Sequence, residues 1–300
     1  MEWEKLGNLF EIKPVLPYLN SHATNPVALH LYDDIFRIFF SSRDEYNKSS
    51  VSYVDLDIFT HQIHSKEIRP SFIYSPESFF SHGISIGNIY EVDAEKFILF
   101  MGWHQRPGQH WYGQIGRLLI INDAILELSP KKVFMTLDKE DPISLSYPFV
   151  KFHEGIFKMW YGSTISWSSE NGEMVHVIKY ATSVDGINWR KKGVAIPFEI
   201  GKMQAFSKPS VMIDINGYHM WYSFRSGNGT PYRIGYSFSS DGITWVNKLE
   251  SVGIDVSTSG WDSEMICYPY VFDHKNERYM LYNGNGYGKT GFGLAKLKGN

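Results

Sequence analysis

Cysteine is almost absent from this chain: Cys267 is the single thiol in 300 residues, so no internal disulfide braces the fold. Neither sign of charge dominates. Against 32 Asp and Glu stand 29 Lys and Arg, a formal net charge of −3, which excludes a global basic field for nucleic acid or an anionic membrane. Long apolar runs are missing as well, none approaching the roughly 18 to 20 residues of a membrane span. The opening MEWEKLGNLF has neither the basic segment nor the apolar core of a secretory signal, so a cytoplasmic protein is expected. No Pro/Ser linker or low-complexity tract interrupts the chain, and a single domain over residues 1–300 is expected.

What the chain has in excess is aromatic residues. The 9 Trp, 19 Tyr and 20 Phe make up 16% of it, which suits strands and sugar-facing surfaces better than helices. They recur with a beat. The segments NPVALHLY, YPFVKFH, KPSVMID and YPYVFD carry prolines at 26, 148, 209 and 269; the last three are 61 and 60 apart, and the first gap, 122, is twice 61. A further copy should therefore centre on position 87, where SIGNIYEV has Gly87 in place of the proline. Aromatic runs starting at Phe36, Phe97, Phe157, Tyr218 and Tyr279 keep the same spacing. A third run follows in each unit, and in VDGINW and SDGITW an Asp-Gly pair signals a tight turn into a fourth strand.

Four antiparallel strands repeated at a 60-residue period predict an all-β fold, a propeller of five blades. The last unit, ending GLAKLKGN, is one strand short, while WEKLGNLF from Trp3 resembles the fourth-strand segment WRKKGVAI from Trp189. The N-terminal strand is therefore expected to complete blade five, closing the ring and removing two exposed sheet edges.

Taken with MWYGS, YATSVDGINW and KPSVMIDINGYHMWYSFRSG, this pattern resembles the five-bladed propeller glycosidase superfamily: arabinanases and β-xylosidases, invertases and levansucrases, and β-mannoside phosphorylases. The resemblance implies a carbohydrate pocket at one end of the central axis, with functional groups at the beginnings of the innermost strands and in the loops after the second strands. Hydrolases of this kind carry an aspartate before the first-blade proline, where this chain has Asn25, an amide that cannot take a proton from water. An Asn-Pro there resembles the phosphorylases, in which phosphate attacks in place of an activated water.

Among acids near the expected mouth, Glu264 in GWDSEMICYP is the first choice for a partly desolvated general acid, with Asp44 and Asp262 as further catalytic candidates. Arg43 and Arg225 each lie seven positions after the start of their aromatic run, and Arg106 stands near the equivalent place. With Lys208 they predict a clamp for a carboxylate or phosphate. Asn25, His22, His82, His104, Tyr147 and Tyr268 complete the expected sugar contacts, with Trp103, Trp167 and Trp261 as stacking surfaces. No metal and no cofactor are expected. The function expected is cleavage or transfer of a glycosyl unit with an acidic or phosphorylated sugar, or phosphate, in the axial pocket; the alternative is a non-catalytic sugar-binding propeller that has lost its acid pair.

Overall fold

Runs such as FKMWY, apolar on both faces of an extended chain, have to be covered on both sides. In the computed structural model, which describes residues 1–13, 16–65, 67–130 and 133–299, they are the second strands of stacked antiparallel sets, and residues 157–164 of the third set are buried without a break. After β1 (Trp3–Phe10), the first set is β2 (Ser21–Tyr32), β3 (Ile35–Arg43), β4 (Ser49–Asp57) and β5 (Pro70–Phe72). There follow β6 (Gly83–Val92), β7 (Glu95–Gln105), β8 (Trp111–Ile121) and β9 (Ile125–Leu128), then β10 (Leu145–His153), β11 (Ile156–Ser166), β12 (Val175–Ser183) and β13 (Arg190–Val194). β14 (Ala205–Asp214), β15 (Gly217–Arg225), β16 (Arg233–Ser239) and β17 (Val246–Asn247) form the next set. The last holds β18 (Cys267–His274), β19 (Glu277–Asn283) and β20 (Phe292–Leu297), and its fourth member is β1, antiparallel to β20 from Trp3 opposite Leu297 to Phe10 opposite Phe292. No helix among the described residues is long and apolar enough to cross a membrane.

The Asp-Gly segments are longer connections than a two-residue hairpin. Six residues separate Ser183 from Arg190, and the turn is held by the Asp185 carboxylate, which accepts from the Ile187 and Asn188 amides at 2.9 and 2.8 Å. Asp241 repeats the arrangement with Ile243 and Thr244 at 2.8 and 2.7 Å. Trp189 and Trp245 behind these turns pack into the core, as expected for a residue that follows each turn.

The innermost strands β2, β6, β10, β14 and β18 each touch the next, and β18 returns to β2. Every one carries a bulge at the same place, two residues facing one on its partner: 25 and 26, 87 and 88, 147 and 148, 208 and 209, 268 and 269. Proline is tolerated there because a bulge leaves an N–H out of the ladder. The bulges also correct the register of the second copy: Asn88, not Gly87, stands in the proline position. Gly87 is required for a different reason, since a Cβ on it would lie 2.1 Å from the Pro148 carbonyl oxygen. Asn88 then bridges to the next strand, its amide exchanging hydrogen bonds with the Val150 main chain, both 2.9 Å long.

Where a proline is present, the residue before it has a positive φ: Asn25 56°, Tyr147 38°, Lys208 52° and Tyr268 55°. Left-handed backbone is uncommon for such residues, and its fourfold recurrence on strands that meet at one point marks that point as a constrained one.

Candidate functional site

Three of those four strained residues, Asn25, Tyr147 and Tyr268, face a cavity of about 560 Å³ over the inner strands. That size is within the range of small-molecule sites. Ser85 and Ser207 add hydroxyls from two more inner strands, Arg43 and Arg225 enter from the ends of β3 and β15, and Trp103 enters from β7. The fourth strained residue, Lys208, turns away. Its amine is fully buried and donates to the Gly87 carbonyl across the inner strands, and burial drives it well below the usual lysine range.

The electrostatics are unequal around the wall. Arg225 Nη2 lies 3.3 Å from Glu173 Oε2, while Glu173 Oε1 accepts from the Gly229 amide at 2.8 Å, so this carboxylate ties the loop after β11 to the loop after β15. Arg43 has no ion pair and no side-chain hydrogen bond among the described residues. Its charge, after burial, helps to hold the nearby His22 imidazole down to about 4. Asn25 is 1% exposed and its Oδ1 accepts no hydrogen bond, while its backbone amide donates to Asn283 Oδ1 at 2.8 Å. His176 also lines the wall, sandwiched between Ser146 Oγ at 2.6 Å and Thr164 Oγ1 at 2.8 Å; burial holds it neutral, its pKa down to about 3.

Of the residues expected from sequence, Asn25, Arg43, Trp103, Tyr147, Arg225 and Tyr268 are brought together here, as is Trp167. The three expected acids are not. Glu264 is exposed, and its peptide is what the structure uses: the amide donates to Asn285 Oδ1 at 2.8 Å and the carbonyl accepts from Arg233 at 2.9 Å. Asp44 is buried but spent on its own loop, accepting from the Tyr46 and Lys48 amides and from the Tyr74 hydroxyl, each at 2.9 Å. Asp262 is buried against Lys5 Nζ at 2.7 Å and the Tyr282 hydroxyl at 3.1 Å.

The remaining candidates lie off the wall. His22 bonds to Ser21 Oγ at 2.9 Å, His82 packs on Trp103 with centroids 5.8 Å apart, and His104 stacks on Tyr112 at 5.6 Å. Arg106 is exposed in the loop after β7, and Trp261 packs at 5.1 Å on Tyr282 inside the last set. Among the described residues no three His, Cys, Asp or Glu side chains gather as a metal set. Glu173, His110, Trp111, His176 and Tyr232 escaped the sequence reading: Glu173, His110 and Tyr232 lie in loops between strands, and Trp111 and His176 at the beginnings of β8 and β12, a part of the repeat not expected to line the pocket.

No known family model matches the chain. Two proteins of Mycobacterium tuberculosis, the uncharacterized proteins MT1551 of strain CDC 1551 and Rv1502 of strain H37Rv, are each 40% identical to it over 301 residues, covering 99% of this chain and 100% of the relative. The chain belongs to the Rv1502 family. Solved structures give this Rv1502-family chain its fold. A glycoside hydrolase aligns with a TM-score of 0.74 at 12% identity over 99% of this chain and 93% of its own. A structure from work on the GH130 mannoside phosphorylases, and on glycoside hydrolases among them that target β-1,2 mannosidic linkages in Candida mannan, aligns with a TM-score of 0.72 at 12% identity over 99% and 93%. Sucrose-6-phosphate hydrolase from Lactobacillus gasseri follows at 0.65 and 10%, over 95% of this chain and 62% of its own. The Rv1502-family fold is thus the glycosidase-type propeller, and at these identities the likeness speaks for fold alone.

Proposed function

We propose that the chain is a carbohydrate-active propeller whose axial cavity takes a glycosyl unit bearing an anionic group, and that it cleaves or transfers that unit with one carboxylate, Glu173. The strand sets are read as five blades of a single domain, a reading supported by the inner strands' contacts around to β2 and by β1 pairing with β20. The observation that carries the functional reading is the make-up of the wall: two arginines, one of them unpaired, against a single carboxylate.

Hydrolysis of a glycosidic bond commonly needs two facing carboxyl groups, one to protonate the leaving oxygen and one to attack or to activate water. With one acid on the wall, the second role falls to an oxygen that needs no deprotonation, such as phosphate, or to an acceptor hydroxyl whose proton passes to Glu173 once Glu173 has given its own to the leaving oxygen. The glycosidic C–O bond breaks, a new bond forms from the anomeric carbon to that oxygen, and Glu173 handles the one proton exchanged with the leaving group. Arg43 holds the anion, and Asn25 Oδ1 accepts from a sugar hydroxyl.

One observation favours a second reading, binding without turnover: Glu173 is already engaged by Arg225 and the Gly229 amide. A thermal-shift screen against sugar phosphates, uronic acids, neutral oligosaccharides and phosphate, followed by turnover assays on the compounds that stabilise, separates the two. Stabilisation by an anionic sugar with turnover lost in Glu173→Gln supports the enzyme; stabilisation without turnover supports the binding protein. Stabilisation by neutral sugars alone sinks the anionic ligand and leaves a neutral-glycan enzyme or binding protein.

A further inference from the structure

The nine tryptophans divide sharply. Trp3, Trp160, Trp189, Trp221, Trp245 and Trp261 all pack into the hydrophobic core clusters. The other three, Trp103, Trp111 and Trp167, belong to none of those clusters, and all three line the cavity. A half-buried indole outside the core leaves apolar surface at a wall that the fold itself does not use.

Two of the three sit together. Trp111 opens β8, Trp167 follows the end of β11, and their rings meet edge to face with centroids 5.0 Å apart. The exposed His110 ring lies parallel to Trp167 at 4.6 Å and 15°, and Trp111 is in turn backed by the buried His176 at 6.0 Å. The result is an aromatic ledge fixed from two neighbouring strand sets. Trp167 Nε1 is buried with no hydrogen-bond partner, a donor that the protein leaves unsatisfied at the ledge. Elsewhere on the wall the buried atoms without a partner are Asn25 Oδ1, Ser207 Oγ and Arg225 Nε, and the first set adds the Arg43 guanidinium, which has no ion pair among the described residues.

We infer that the cavity has two subsites, and that its ligand is a glycoside of at least two rings: an acidic ring at Arg43 and Asn25, and a second sugar ring stacked on the Trp111–Trp167 ledge. This rests on the anionic-sugar reading above and adds to it a length and an orientation. The charge pattern supports one acid group and not several, because Arg225 is already opposed by Glu173 and, of the two wall arginines, Arg43 is the one without a carboxylate partner among the described residues. A sugar presents an apolar C–H face to an indole and hydroxyl oxygens at its edge, and such an oxygen accepts from Trp167 Nε1.

The test compares matched pairs by isothermal calorimetry on the full chain: the methyl glycosides of glucuronic acid, galacturonic acid and mannose 6-phosphate, each against the glycoside in which glucosyl replaces methyl. For the acidic ring that binds, the two-ring compound is expected to bind at least tenfold tighter and to quench tryptophan fluorescence. In Trp167→Ala, and in the milder His110→Ala, the two-ring to one-ring affinity ratio should fall below threefold. Equal affinity of the pair, or a ratio untouched by both variants, overturns the second subsite and leaves the anionic-sugar reading standing. If none of the acidic glycosides binds the wild type, that reading falls and the inference with it.

Discussion

Arg43 and Arg225 end the second strands of two repeats at the same register, yet Arg225 lies 3.3 Å from Glu173 while Arg43 has no carboxylate partner among the described residues. A guanidinium left unpaired on a cavity wall is a charge whose partner comes from outside. Arg43→Ala should weaken binding of an acidic sugar at least tenfold, since a hydrogen bond to a charged group is worth about 1.5 to 3 kcal/mol. Arg225→Ala should instead loosen Glu173, changing turnover more than affinity. Calorimetry on both variants, with turnover measured beside it, reads the split.

Lys5 and Lys191 give a second comparison. Lys5 meets Asp262 Oδ2 at 2.7 Å and Lys191 meets Asp141 Oδ2 at 2.6 Å, with the Tyr282 and Tyr161 hydroxyls on the same carboxylate oxygens at 3.1 and 3.0 Å. Asp141 also has Lys179 at 2.8 Å, whereas among the described residues Lys5 is the single cation on Asp262. Breaking a buried pair leaves an uncompensated charge and costs about 3 to 5 kcal/mol; Lys5 is 24% exposed, which pulls its figure toward the low end. Lys5→Ala should therefore lower stability by about 3 kcal/mol, and Lys191→Ala by clearly less. Urea unfolding of the two variants checks the order, and equal losses would contradict it.

Acid should destabilise the fold before its carboxylates protonate. Burial lowers His176 from 6.5 to about 3, and His22 from 6.5 to about 4, so the unfolded chain binds protons that the folded chain refuses between those values. Their contribution is complete above pH 6.5 and is lost as the pH falls below it, at about 1.4 kcal/mol per unit for each histidine. Unfolding free energies at about pH 7 and about pH 5.5 should show this loss, and His176→Gln should remove one proton from the slope. A flat profile in the wild type would count against the buried neutral imidazoles.

Gly87 is predicted to be irreplaceable for a reason of space. A methyl group there meets the Pro148 carbonyl oxygen at 2.1 Å, backbone that cannot swing aside. Gly87→Ala should cost about 3 kcal/mol or more through overpacking. A melting temperature within a degree of the wild type would show that the inner strands are farther apart than described.

The repeat was legible in the sequence because each copy answers one local demand. A bulge on an inner strand wants a residue without an N–H, hence the prolines, and a strand buried on both faces wants aromatics throughout. The likeness of WEKLG to WRKKG reflects Lys5 and Lys191 doing the same work on two carboxylates. The register of the second copy is hidden in the sequence because Asn88 replaces proline with a side-chain bridge to Val150.

The site was legible only where it sits on the repeat itself. Asn25, Tyr147 and Tyr268 occupy the bulge, and Arg43, Trp103 and Arg225 lie at or near strand ends. The acids misled because proximity along the chain says nothing of which way a loop carboxylate turns: Glu264 points to solvent, and Asp44 and Asp262 are consumed by their own neighbours. Glu173 lies in a loop whose course depends on Gly172 at φ 77° and on contacts to the next set, neither of which has a periodic signature.

The most direct test of the central claim is a calorimetric comparison of sugars with and without one anionic group, glucuronic acid against its methyl ester and mannose 6-phosphate against mannose, on the wild type and on Arg43→Ala. The account predicts that the charged member of at least one pair binds tenfold tighter or better, and that Arg43→Ala erases the difference. Equal affinity within every pair, or a preference for charge that survives in Arg43→Ala, would contradict it.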